Sequence, residues 1–104
     1  KSLILPCLGR TEKDFQLGKE QFQTTENTML NVQMTRGVLE PASEHLRSEP
    51  WIVGKLARAV LKGKTTVEWE AMINDYDVIR KMIARTVKGC EKYYEKVRQP
   101  GGFY

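Results

Sequence analysis

Between Glu40 and Leu61 the chain reads EPASEHLRSEPWIVGKLARAVL, and no other stretch narrows the possible folds as much. Pro41 and the small polar residues after it break any preceding strand, and Ser48 is placed to accept a hydrogen bond from the free N–H groups that open a helix. Glu49 suits the positive end of the helix dipole, and Pro50 falls where a missing N–H costs little. Ile52, Val53, Leu56, Ala57, Val60 and Leu61 then recur at three- and four-residue steps, which predicts one apolar stripe buried against other segments, with Gly63 closing the helix. Burying six such side chains is worth about 10 kcal/mol gross, before chain entropy offsets most of it.

The flanking segments supply what that stripe needs to pack on. Ser2 to Leu5 is short, apolar and stopped by Pro6, so it reads as a buried strand end running into a loop. Cys7 to Gly18 is mixed polar, a loop or single turn whose charged cluster Arg10, Glu12, Lys13 and Asp14 is the first place where function could sit. Gln21 to Thr25 and Met29 to Thr35 are predicted strands around a Glu26-Asn27 turn, with Phe22, Met29, Val32 and Met34 pointing inward. Beyond the central helix, Thr65 and Glu68 have the capping-box spacing for a second helix that carries Val67, Trp69, Met72 and Ile73. Asp75 caps a third, with Val78, Ile79, Met82, Ile83 and Val87 as its core face. Gly89 interrupts it, and Cys90, Tyr93, Tyr94 and Val97 resume helical spacing until Pro100-Gly101-Gly102. The expected class is α+β and predominantly helical: short or irregular strands over residues 1–43, then three to four packed helices over 44–104.

A length of 104 residues holds one modest core, and the formal net charge of +4 only slightly favours an anionic partner. No run approaches the roughly eighteen apolar residues of a membrane span. Cys7 and Cys90 stand far apart without a CxxC pair or clustered histidines, which argues against structural zinc and for reduced thiols in the cytoplasm. The opening on Lys1 and an apolar run is expected of a piece of a longer polypeptide.

No complete catalytic constellation is present. His45 has neither a nucleophile at motif spacing nor a second histidine with which to share a metal, and nucleophile-elbow and Walker patterns are missing. Lys81, Arg85, Lys88, Lys92 and Lys96 would line one side of an uninterrupted helix and could track phosphates, the basis for an alternative reading as a small basic helical module binding nucleic acid or an acidic protein. Gly89, and Glu91 and Glu95 alongside, favour a solvated face instead. Glu12, Lys13 and Glu49 form a third set: carboxylates accept the N1 and N2 donors of a guanine, and a lysine meets a carbonyl or phosphate oxygen.

The phrases LILPCLGRTEKD, TTENTM, EPASEHLRSEPWIVGKLARA and VRQPGGF, taken together and in this order, resemble the molybdopterin-dependent oxidoreductases, specifically formate-dehydrogenase-like alpha subunits. The resemblance covers nearly the whole chain but only a fraction of such an enzyme. It implies a strand ending at Leu5-Pro6, a loop with its acidic residue at Glu12, and contacts from Lys13 and Glu49 to a molybdopterin guanine dinucleotide. The chain departs from the superfamily pattern after the loop, at Phe15-Gln16 and Gly18-Lys19-Glu20-Gln21. Such enzymes perform two-electron chemistry on a small-molecule substrate at molybdenum held by two pterin dithiolenes, some with an iron-sulfur cluster. Neither the metal's protein ligand nor cluster cysteines are recognisable here. The resemblance therefore implies a cofactor-binding segment, inactive alone, whose partner is the rest of the parent chain and neither a membrane nor nucleic acid.

Overall fold

Leu17 and Gly18 both adopt left-handed backbone, with φ of 50° and 76°, and so close a tight two-residue turn within a stretch whose composition reads as loop. The turn joins β1 (Asp14–Gln16) to β2 (Lys19–Gln21), antiparallel, with Asp14 opposite Gln21 and Gln16 opposite Lys19. A second antiparallel hairpin pairs β3 (Gln23–Glu26) with β4 (Val32–Thr35). Its connection is organised by Asn27, whose side-chain oxygen accepts from the backbone N–H of Met29 (2.9 Å) and of Asn31 (3.2 Å). The strands are thus shorter than expected. Phe22 is buried as predicted, whereas Met29 and Met34 are exposed, because neither hairpin has a second layer over that face.

This computed structural model describes all 104 residues, and four helices follow the hairpins, giving the α+β class expected. Single bridges fasten the ends of the irregular segments: Cys7 to Arg47, Glu12 to Leu39, and Val32 to Phe103. Before Cys7 the only backbone hydrogen bond is the one Pro6 accepts from the Arg47 N–H (3.2 Å), and nothing pairs with residues 1–5. The expected buried strand end is consequently an exposed extended arm, with Leu3 and Ile4 each 84% accessible.

Helix α1 spans Glu49–Leu61 and begins as anticipated: Ser48 Oγ accepts from the Trp51 N–H (3.3 Å), and Pro50 sits in the first turn. Its packing face is not the expected one. Gly54 is buried, and a Cβ there would lie 2.2 Å from Ile73 Cγ2, so the helix turns its bare backbone toward α2 (Trp69–Asn74). Close approach at a glycine decides the rotation, leaving Val53, Leu56 and Val60 exposed on the opposite side.

The start of α2 also differs, since Thr65 Oγ1 accepts from the Val67 N–H (3.1 Å) and makes a local turn in place of a capping box. Asp75 does cap α3 (Tyr76–Thr86), accepting from the Asp77 N–H at 2.9 Å. The fully inward residues of α3 are Tyr76 and Arg80; the aliphatic face expected there is half-buried, and Val87 is exposed. Arg80 is 4% exposed, lies 3.6 Å from the Phe22 ring centroid and bonds to Asp77 at 2.8 Å. Arg98 stacks on Phe22 as well and reaches Asp77 at 2.6 Å. Burial opposes ionisation of Asp77, yet the two guanidinium groups hold its carboxyl below the usual range. After α3 the chain bends, and α4 (Tyr93–Lys96) is a single turn entered through left-handed Lys92. That bend breaks the row that Lys81 to Lys96 would form on an uninterrupted helix. The apolar core is Phe22, Met72, Ile73, Tyr93 and Val97, of which Ile73 and Val97 are each 1% exposed.

Candidate functional site

The pleat of β1 sends Asp14 and Gln16 inward and Phe15 outward, so a strand of polar sequence buries two polar side chains. They are fully engaged. The Asp14 carboxylate accepts from Gln16 Nε2 (2.8 Å), Gln23 Nε2 (3.2 Å) and the Tyr76 hydroxyl (2.6 Å). A phenol has one proton, and Asp14 receives it, so across the 2.5 Å contact between Ser48 Oγ and the Tyr76 oxygen the serine is the donor. Ser48 in turn accepts from the Trp51 N–H. A directional chain thus runs from the first turn of α1, through Ser48 and Tyr76, to Asp14 on β1. Burial, and secondarily the bond to Asp14, push the Tyr76 hydroxyl well above its ordinary pKa.

Beside this cluster opens a cleft of about 290 Å³. Its walls include Arg10, Glu12, Asp14, Gln21, Ser48 and Glu49, with hydroxyls from Thr24, Thr25 and Thr35; only Leu8 is apolar. Gln21 is 5% exposed, and its side-chain oxygen accepts from the Tyr76 N–H (3.1 Å). Because that partner is a donor, the amide cannot be turned around, and Gln21 Nε2 is left buried with no acceptor. Gln21 therefore keeps an enclosed donor without a protein partner at the wall of the cleft.

The three residues singled out from sequence are placed differently from one another. Glu49 lies in the first turn of α1 and lines the cleft with an exposed carboxylate. Glu12 also lines it, but its oxygens accept from the backbone N–H groups of Ala42 (2.7 Å) and Gly9 (2.6 Å), which hold its carboxyl below the usual range. Lys13 is not among the lining residues; it pairs with Glu40, which raises its pKa. Nearby, partial desolvation pushes up the thiol of Cys7, an exposed residue, and the carboxylates of Glu49, Asp14 and Glu12 add to the shift. His45 is exposed next to Glu44, and both cysteines are free.

Sequence reading missed Gln21 and Tyr76 altogether and took Ser48 only as a cap. The available signal was polar alternation, Asp14 and Gln16 on one strand and Gln21 and Gln23 past the turn, too rich in side-chain amides for a solvated hairpin. The arrangement is suited to recognition: carboxylates and hydroxyls that accept, plus one fixed amide that must donate. No group of three metal-ligating side chains gathers anywhere, and no helix is long and apolar enough to cross a membrane.

No family model matches the chain, and no solved structure matches it. It is similar to a Mycobacterium tuberculosis protein that bears the name uncharacterized oxidoreductase, with 46% identity over 102 residues, and the same holds for a Mycobacterium bovis protein of that name. With Protein YdeP of Escherichia coli it shares 41% identity over 103 residues. These alignments take in 98–99% of this chain but only 13% of each relative. The chain thus spans about one-eighth of the length of the curated relatives it matches.

Proposed function

We propose that the chain is one segment of a larger molybdenum-dependent, formate-dehydrogenase-like oxidoreductase, and that its cleft holds the guanine end of a molybdopterin guanine dinucleotide. Two relatives carry the name oxidoreductase, and the chain corresponds to a small part of each. The observation that carries the cofactor reading is the buried, unpartnered amide of Gln21 in the same cleft as the Glu49 carboxylate. The pairing edge of guanine offers two adjacent donors, N1–H and the N2 amino group, beside the O6 acceptor. Glu49 accepts from the first two, and Gln21 Nε2 donates to the oxygen, which removes the cost of a buried orphan donor, about 1–3 kcal/mol.

Glu12 contributes by holding the loop at Gly9 and Ala42 in place. Lys13 meets a cofactor oxygen only by exchanging Glu40 for it. When bound, the cofactor supplies two-electron redox chemistry at molybdenum, with any iron-sulfur relay outside this segment; the residues here bind and orient. On this reading the parent acts on a small-molecule substrate, formate at family level, in the cytoplasm. The test is Glu49→Ala in the full-length parent enzyme. Molybdenum and guanine content should fall several-fold together, and normal content of both would refute the assignment.

A further inference from the structure

The chain exposes more surface than its mass requires. A compact monomer of 12.0 kDa presents about 6,000 Å² by the usual size scaling, whereas this one presents 7793 Å². Its radius of gyration, 14.8 Å, likewise exceeds the roughly 13 Å expected for this length. The excess, about 1,800 Å², is more than the roughly 800 Å² that one partner contributes to a standard interface.

Part of that excess is concentrated on α1. Val53, Leu56 and Val60 are 57%, 59% and 68% exposed and recur along one side of the helix, and Glu49, four residues before Val53, begins the same row. Gly54 commits the other side to α2, so this side has no neighbour within the chain. Close to the C-terminal end of the row stand Lys62 and Lys64, both exposed, whereas Lys55 and Arg58 are already paired with Glu70.

We infer that the Val53–Leu56–Val60 face of α1 is a docking surface for another segment of the same, longer polypeptide. The occupant is an aliphatic surface with carboxylates toward Lys62 and Lys64. Two facts favour this occupant over a second copy. The matched relatives carry about seven-eighths of their length outside the aligned stretch, ample chain to cover the face. The surface in excess of a compact monomer's, about 1,800 Å², is also more than the roughly 800 Å² that one partner of a standard dimer interface covers, as befits a piece enclosed by a larger body. Because Glu49 heads the row, the docked segment would also border the cleft.

The inference rests on the proposed function only in that a longer parent exists. It is tested by maleimide labelling of a Leu56→Cys variant, in a Cys7→Ser, Cys90→Ser background, as the 104-residue chain and as the full-length parent. Lys88→Cys serves as the exposed control. The expected result is labelling at Leu56→Cys slowed at least tenfold in the parent relative to the short chain, with the control unchanged. Equal labelling in both overturns the docking surface. Protection already present in the short chain, with a dimer's mass by light scattering, overturns it in favour of a second copy. Molybdenum and guanine content of the same parent preparation reports on the cofactor reading separately, so either idea can fail without the other.

Discussion

Two interiors sit a few residues apart in this molecule and are built on different principles. Around Ile73 and Val97 the helices meet through apolar side chains, with Gly54 of α1 admitting Ile73 against bare backbone. Around Asp14, four buried polar side chains and the half-buried Gln23 are joined by directed hydrogen bonds that run from both hairpins to the starts of two helices. The apolar interior accepts any side chains of suitable volume, whereas the polar one fails if a single donor or acceptor is lost. The polar interior borders the cleft, and the apolar one does not. Rigid hydrogen-bonded placement thus lies beside Glu49 and Gln21, and generic packing holds the remainder together.

The contrast is sharpest under truncation. Ile73→Ala should cost about 3–4 kcal/mol in urea unfolding, since the residue is almost fully buried and its contact with Gly54 cannot close over the void. A loss below about 1 kcal/mol would mean that the helical core is loose. Tyr76→Phe should cost about 1–3 kcal/mol while keeping the ring volume, because Asp14 and Ser48 each lose a partner. If that loss were negligible, the polar interior would be wet and the comparison would collapse.

Proton linkage separates the two regions in opposite pH windows. Asp77 has its folded pKa lowered from 3.8, so its stabilisation is full above that value and is lost as pH falls through the folded pKa; Asp77→Asn should flatten the acid limb of a stability profile. Tyr76 has its pKa raised from 10.0, so its contribution is full below that value and is lost as pH rises above it. Ultraviolet titration should find one tyrosine ionising later than the rest, and that late phase should vanish in Tyr76→Phe. Ser48→Ala should cost about 1 kcal/mol as a lost cap, with more expected here because Tyr76 loses its donor as well. Leu56→Ser, on the open side of α1, should change the stability of the short chain by less than about 0.5 kcal/mol. A larger loss would show that this side is covered even in the isolated chain.

Features governed by near neighbours were legible in the sequence. The Ser48 cap, Pro50 in the first turn and the Asp75 cap each depend on a few adjacent residues, and each is found, whereas the interruption expected at Gly89 comes two residues earlier, at extended Val87. Features governed by tertiary choice were not. The hydrophobic period of α1 gives the stripe but not the rotation, which Gly54 sets by permitting close approach to Ile73. Nothing in the sequence singles out Arg80, which Phe22 and Asp77 bury by supplying a stacking plane and a counter-charge. The first hairpin was hidden because three-residue strands of polar residues carry no hydrophobic alternation. In the cleft, the place of Glu49 at a helix start was legible, while its role there is only what the family resemblance implies; the unpartnered donor of Gln21 became visible only with its oxygen committed to Tyr76.

The central claim concerns where a purine edge sits, and a structure of the full-length parent loaded with its cofactor measures that directly. The account predicts the guanine N1 and N2 within about 3 Å of the Glu49 carboxylate and its O6 at similar range from Gln21 Nε2. A fully occupied guanine seated elsewhere, with the Gln21 amide paired to protein or water, would contradict it.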